Sequence, residues 1–163
     1  KSSHWFPNSY PDDIMGPLNI EKTVDIGFCG NTLNRGGLIN YLDKFGIKKD
    51  IFIIGDDMVN AINSYKIHFN ANISNDINYR TFETTGCGTF LLTNYTPGLE
   101  KLFKIGEEIV TYDDIRDLND KVKYYLSNNE ERIKIQQAGL ERSRRDHTYF
   151  ERSKLLLEII KNK

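Results

Sequence analysis

A chain of 163 residues has room for one ordinary domain with a real core and little more. Its 22 Lys plus Arg stand against 23 Asp plus Glu, a net charge of −1, which excludes the basic excess a general nucleic-acid binder needs. No apolar run is long enough to span a bilayer and no signal segment is recognisable, so a cytoplasmic location is expected.

Residues 1–23 carry Pro7, Pro11, Gly16 and Pro17 and read as a lead-in linker rather than core, leaving 24–163 as the domain. Because the chain opens on Lys, it is expected to be a piece of something longer or a processed product. Residues 24–29 read as the first strand, stopped by Gly30-Asn31. Leu38, Tyr41, Leu42 and Phe45 then recur at helical spacing, and Gly46 ends that helix. The apolar run 51–54, closed by Gly55, has the pattern of a strand buried on both faces. Further strands are expected at 66–70, 89–93 and 108–112, with helices at about 80–85 and 98–103 between them.

Beyond the fifth strand the pattern is helical. Ile115, Leu118, Val122 and Tyr125 form one apolar stripe behind an Asp113/Asp114 cap. A second helix begins at Glu130-Glu131 behind Asn128 or Asn129, and a third covers 149–160, with Thr148 as its cap and Tyr149 packed inward. Arg142, Arg144, Arg145 and Arg152 interleave with acids, as on a solvated helical face. Alternating strands and helices imply right-handed βαβ units, so the expected fold is α/β: a Rossmann-like parallel sheet of about five or six strands, flanked by helices, with a helical C-terminal end. Ligands of such sheets bind beyond the carboxyl ends of the strands, where loops 30–36, 55–58, 70–78 and 93–98 gather.

Cys29 and Cys87 have the setting of small buried thiols, and His4, His68 and His147 are scattered. Asp12-Asp13 and Asp56-Asp57 have the form of turns or caps, so no metal site is expected. The segment 75–94, NDINYRTFETTGCGTFLLTN, says most. A polar loop opens a helix whose first N–H groups and dipole suit a phosphate. Glu83 follows Asp76 by seven residues, about two turns, and an ionised carboxylate there is an acceptor for a ribose diol. The Gly86-Cys87-Gly88 break also has a purely structural reading, as a C-cap and turn. Tyr79, Phe82 and Tyr95 have spacings more usual for core than for base stacking.

With these segments placed, the chain from about Val24 onward resembles the carboxyl-terminal domain of a GT-B-type glycosyltransferase, in the branch related to spore-maturation glycosyltransferases. The resemblance rests on FCGNTLNRGG (28–37), DINYRTFETTGCGTFLLTN (76–94), LFKIGEEIVTYDD (102–114) and RDHTYFERSKLLL (145–157). It implies a domain that holds the nucleotide-diphosphate part of an activated sugar, with no cofactor, beside an amino-terminal domain that holds the acceptor. Gly30 and Asn31 then resemble the loop that approaches the diphosphate, Arg35 the basic residue on the phosphates, and Glu83 the ribose acid. Arg80, Gly86, Thr93 and Gly98 complete the implied nucleotide-sugar set. Where many relatives carry a second Glu near the sugar, this chain has Asn75, with Asp76 beside it, and the sugar contact falls to either or neither. No catalytic base is assigned. A phospho-receiver module would need an acidic cluster and a partnering Lys, which are absent. A dinucleotide-binding oxidoreductase would need Gly-x-Gly-x-x-Gly, a spacing that Gly27, Gly30, Gly36 and Gly37 miss.

Overall fold

The computed structural model describes residues 3–161. Its strands are β1 (Val24–Gly30), β2 (Lys48–Ile51), β3 (Tyr65–Asn70), β4 (Phe90–Asn94) and β5 (Val110–Tyr112). They form one parallel sheet in the order β2-β1-β3-β4-β5. Helices α1 (Gly36–Tyr41), α2 (Gly55–Ser64), α3 (Tyr79–Gly86) and α4 (Leu99–Leu102) connect the strands. Helices α5 (Ile115–Ser127), α6 (Asn129–Asp146) and α7 (Tyr149–Lys161) close the chain, so the Rossmann-like α/β sheet with a helical end is the observed architecture. Among the described residues no helix is long and apolar enough to cross a membrane.

Alternation along the strands builds two cores, because successive side chains point to opposite faces. Ile26, Phe28, Ile67, Phe69, Phe90 and Leu92 face Leu118 and Val122 of α5, while Leu91 joins Ile62, Phe82 and Phe103 on the other side. Helix α5 is fixed at its start by Asp114, whose carboxylate accepts from the amides of Arg116 and Asp117 at 2.8 Å each. Gly27 is required because the Tyr65 ring lies where its Cβ would stand, at 2.3 Å, and the Tyr65 hydroxyl is held by Asp50.

Several expectations need correction. The second strand covers 48–51 rather than 51–54, and it is the sheet's edge, not a strand buried on both faces. Phe52 turns the chain out of the sheet at a φ of 60°, leaving Phe52 and Ile54 76% and 81% exposed. Helix α2 follows at once, with Asp56 and Asp57 in its first turn, where acids suit the dipole, and Met58, Ala61 and Ile62 buried. Asn128 stands at the cap position of α6, but its amide donates instead to the Tyr124 carbonyl at 2.8 Å. Thr148 does cap α7, accepting from the Glu151 amide at 3.1 Å, whereas Tyr149 is half exposed. Of the arginine group, Arg142 donates to the Leu102 carbonyl at 2.8 Å and Arg152 is buried, donating to the Asn8 carbonyl at 3.1 Å. These two fasten the C-terminal helices, while Arg144 and Arg145 are exposed, as on a solvated face.

The segment before β1 is irregular yet belongs partly to the core. Tyr10 is 1% exposed, pairs its backbone with His147 and Tyr149, and packs its ring on Gly86. Asn63 holds residues further along, accepting from the Leu18 amide at 2.8 Å and donating to the Gly16 carbonyl at 3.1 Å.

Two histidines are buried in forms that only a neutral ring satisfies. Beyond Gly27 and His68 the β1–β3 ladder ends, and His68 Nε2 accepts the Cys29 amide at 3.2 Å. Its Nδ1 then donates to Thr84 Oγ1 at 2.6 Å. Burial, helped by the charges of Arg80 and Lys22, pushes its pKa down to about 3. His147 donates from Nε2 to the Leu102 carbonyl at 2.9 Å and accepts from Arg152 at 3.2 Å, and burial pushes it to about 4.

Two outcomes follow from this packing. A Cβ on Gly86 would lie 2.4 Å from the Tyr10 ring, which has nowhere to move, so Gly86→Ala is expected to cost about 1–3 kcal/mol in urea unfolding. The penalty should shrink when Tyr10→Leu is added. The unfolded chain takes up histidine protons below about pH 6.5, and the folded chain resists them. Stability is therefore full above about pH 6.5 and is lost as pH falls, by about 2 kcal/mol per histidine at pH 5. Urea midpoints from pH 7 to 4 should record the decline, and His68→Gln should flatten it.

Candidate functional site

Strand order places the reversal of direction between β1 and β3, and the two strands part there. Open α/β sheets bind ligands at such a switch point, outside the carboxyl ends of the strands. A cavity of about 260 Å³ occupies it, lined by Gly30, Asn31, Arg35, Asn70, Asn78 and Arg80, with Phe28 and Tyr79 as its aromatic side chains. A larger recess, about 510 Å³, lies at the opposite end of the strands, bounded by Thr23, Lys48 and Ser64. Its volume outranks the first, but it lacks guanidinium groups, and α2, whose first turn borders it through Asp57, already carries acids at its start, so the cavity at the switch point is the better candidate.

Two guanidiniums converge on that cavity. Arg80 donates from Nε to the Cys29 carbonyl at 3.0 Å and from Nη1 to the Glu83 carboxylate. Arg35 donates from Nε to the Ala71 carbonyl at 2.6 Å and from Nη1 to the Asn31 carbonyl at 3.3 Å. Its Nη2 makes no hydrogen bond among the described residues. Burial pushes the Arg35 pKa down, while Asp76 and Tyr112 act the other way. Helix α3 opens on the same cavity with no side-chain cap and no acid in its first turn. The amides of Tyr79 and Arg80 have no partner among the described residues, so the positive end of the helix dipole is uncompensated there. The arrangement suits an anion with several oxygens.

The loops around the cavity are set by uncharged amides. Asn70 and Asn78 exchange side-chain hydrogen bonds at 3.1 and 3.3 Å. The Asn72 carboxamide oxygen accepts from the Asn78 amide at 3.2 Å, and its nitrogen donates to Thr96 at 3.1 Å. Asn94 accepts the Asn72 amide at 2.6 Å and donates back to the Asn72 carbonyl at 3.1 Å. Sequence reasoning missed this network. Its one visible signal is the run of asparagines at 70, 72, 75 and 78.

Of the residues singled out in sequence, Gly30, Asn31, Arg35 and Arg80 line the cavity together. Gly30 has a φ of 149°, which favours glycine. Asn31 uses its side chain locally, accepting from the Leu33 amide at 2.8 Å. Glu83 stands one turn along α3 with its carboxylate on Arg80. Asn75 and Asp76 border an adjoining recess and are exposed. Thr93 is buried beneath the loops and accepts from Asn70 at 3.2 Å. Gly98 begins α4 at a φ of 97° beside the Trp5 ring. Gly86 is the exception: it sits at the far end of α3 against Tyr10, a packing glycine rather than a ligand contact. Phe82 is core, whereas Tyr79 and Tyr95 are about half exposed on the rim. Both cysteines are free and buried, and burial pushes the Cys87 thiol up to about 12.

A model of the glycosyl transferase-like family matches residues 14–158, and the chain belongs to that family. Comparison with curated protein sequences finds no significant match. Among solved structures, the sucrose-phosphate synthase of Thermosynechococcus elongatus is similar over 96% of this chain and 51% of its own, with a TM-score of 0.77 at 10% identity. The C-terminal domain of a glycosyl transferase group 1 family protein from Francisella tularensis matches over 85% of this chain and 98% of its own, with a TM-score of 0.66 at 12% identity. An Anabaena protein solved in complex with UDP-glucose matches over 86% of this chain and 41% of its own, with a TM-score of 0.68 at 11% identity. At these identities the likeness is one of fold. The chain spans about half the length of the synthase.

Proposed function

We propose that this member of the glycosyl transferase-like family is the donor-binding half of a GT-B-type glycosyltransferase, in the branch resembling spore-maturation glycosyltransferases. It would hold a nucleotide-diphosphate sugar while the sugar passes to an acceptor hydroxyl. One observation carries the reading: Arg35, Arg80 and the uncapped start of α3 converge on the cavity where β1 and β3 part. The Anabaena neighbour solved with UDP-glucose supports a sugar nucleotide as the ligand class.

In that reaction the acceptor oxygen bonds to the anomeric carbon as the bond from that carbon to the diphosphate breaks. The acceptor proton goes to a base, and the nucleoside diphosphate leaves with added negative charge. Arg35 and the α3 amides stabilise that charge in a pre-set, partly dry site, which is how such groups favour a transition state over a ground state. Glu83 accepts the ribose hydroxyls, with Arg80 holding its carboxylate in place. The acceptor and base belong to a second lobe, a reading supported by the half-length match to the synthase. Exposed apolar side chains agree with a covering lobe: Leu33, Phe52 and Ile54 near the β2 end, and Phe150, Leu157 and Ile160 on α7.

Calorimetry with UDP, GDP and the matching nucleosides tests the assignment. Arg35→Ala should weaken diphosphate binding by about 1.5–3 kcal/mol and nucleoside binding much less, with Arg35→Lys in between. Equal losses for diphosphate and nucleoside would assign Arg35 only to the Ala71 and Asn31 carbonyls it already holds. Glu83→Gln should weaken both ligands while the fold persists, and unchanged affinity in that variant would remove Glu83 from the ribose. The isolated chain should bind a donor nucleotide yet transfer no sugar, since proximity of donor and acceptor supplies much of the rate. Sustained turnover by these residues alone would overturn the half-enzyme reading.

A further inference from the structure

A second recess, of about 170 Å³, opens on the same rim beside the cavity, between the segment preceding β1 and the loops after β3 and β4. Its walls include Trp5, Phe6, Asn75, Asp76 and Pro97. We propose that this recess is a pyranose subsite in which Trp5, a residue well upstream of the first strand, forms the stacking wall that selects the sugar. The inference rests on the donor-binding reading and adds a determinant from outside the sheet.

The chemistry of the walls is what a sugar ring needs. A pyranose presents hydroxyls at its edge and an apolar C–H surface on its face. A carboxylate and a carboxamide match the first, and an indole matches the second. The side chains of Asn75 and Asp76 make no hydrogen bond among the described residues, so both are available to hydroxyls. Size points the same way, because the recess, at about 170 Å³, is smaller than the 260 Å³ cavity beside it. It takes one ring rather than a nucleotide.

The wall is also held in place. Asn8 donates to the Ile77 carbonyl at 2.9 Å, and Arg152 donates to the Asn8 carbonyl at 3.1 Å. Tyr10 then pairs with His147 at 3.1 Å and with Tyr149 at 3.0 Å, so the segment is clamped just beyond its aromatic residues. The Trp5 ring rests beside Gly98, where a Cβ would meet it at 3.5 Å, and the Lys101 ammonium lies 5.9 Å from its centroid. The ring remains 55% exposed. Asp76 in this recess and Asn78 in the cavity are separated by Ile77 alone, so a sugar on a diphosphate bound at Arg35 has the recess directly beside it.

Trp5 is the only tryptophan of the chain, so its emission reports on this recess alone. The full chain is titrated with UDP and GDP, and then with UDP-glucose, UDP-galactose, UDP-N-acetylglucosamine and GDP-mannose, with calorimetry in parallel. At least one sugar nucleotide is expected to change the emission where its parent diphosphate does not. Trp5→Ala should lower the affinity for that sugar nucleotide about three- to tenfold and leave the diphosphate unchanged, with Trp5→Phe recovering part of the loss. A diphosphate that binds while no sugar nucleotide alters the emission overturns the subsite and leaves the donor-binding reading standing. Equal losses for diphosphate and sugar nucleotide in Trp5→Ala also overturn it. Failure of every diphosphate and sugar nucleotide to bind removes both readings.

Discussion

The rim of this domain depends on one hydrogen bond, from the Cys29 amide to the ring of His68. Past Gly27 the β1–β3 ladder stops, which opens the cavity but strands the backbone of a residue that is almost wholly buried. An unmet buried donor costs about 1–3 kcal/mol. The imidazole meets it from the neighbouring strand: the Cys29 amide can only donate, so Nε2 is the acceptor and the ring proton stays on Nδ1, where it reaches Thr84. Arg80 takes the carbonyl of the same residue. Cys29 is therefore satisfied at both polar atoms by side chains, one from β3 and one from α3, and the strands separate without an unsatisfied backbone between them.

That solution has electrical consequences. His68 serves only while neutral, so the support of the site is uncharged at neutral pH. The loops beside it are tied by asparagine amides rather than ion pairs, and these consume no charge. Among the described residues Glu83 is the one carboxylate bonded to a cavity guanidinium, and it engages Arg80, not Arg35. The free Nη2 of Arg35 and the unpaired amides of α3 thus keep their positive potential toward the cavity. Had Asp or Glu tied these loops, their charges would compete with any bound anion for the same donors.

Much of this architecture was legible in sequence because it rests on local signals. Glycines and aspartates mark the ends of elements, and the apolar period separates α5 from the strands. The failures lie where tertiary context overrides a local pattern. The run 51–54 has the composition of an interior strand, yet Phe52 turns out of the sheet and α2 begins only three residues later, its start signalled by Asp56 and Asp57. Gly86 belongs to a motif with two physical readings, and the side chain that decides between them is Tyr10, 76 positions away. The asparagine network has no periodicity to reveal it, since its members pair between the two segments that follow β3 and β4. Arg35 and Glu83 were findable as residue types, but the bond between Glu83 and Arg80 was not.

The segment before β1 shows why a boundary drawn on composition misleads. Its prolines and polar residues disfavour regular structure, and its described residues form no helix or strand. Regular structure is not what holds it, however. Tyr10 fills the space that Gly86 leaves, and its backbone bridges the junction of α6 and α7. Arg152 reaches from α7 to Asn8, and Asn8 reaches on to Ile77 in the loop before α3. The start and end of the described chain therefore close on one another beside the rim. His147 sits inside that closure, bonded to Leu102 on one side and Arg152 on the other, so its neutral state supports the clamp as His68 supports the cavity. Both buried rings hold the rim from below, and neither needs to touch a ligand for its protonation to reach the site.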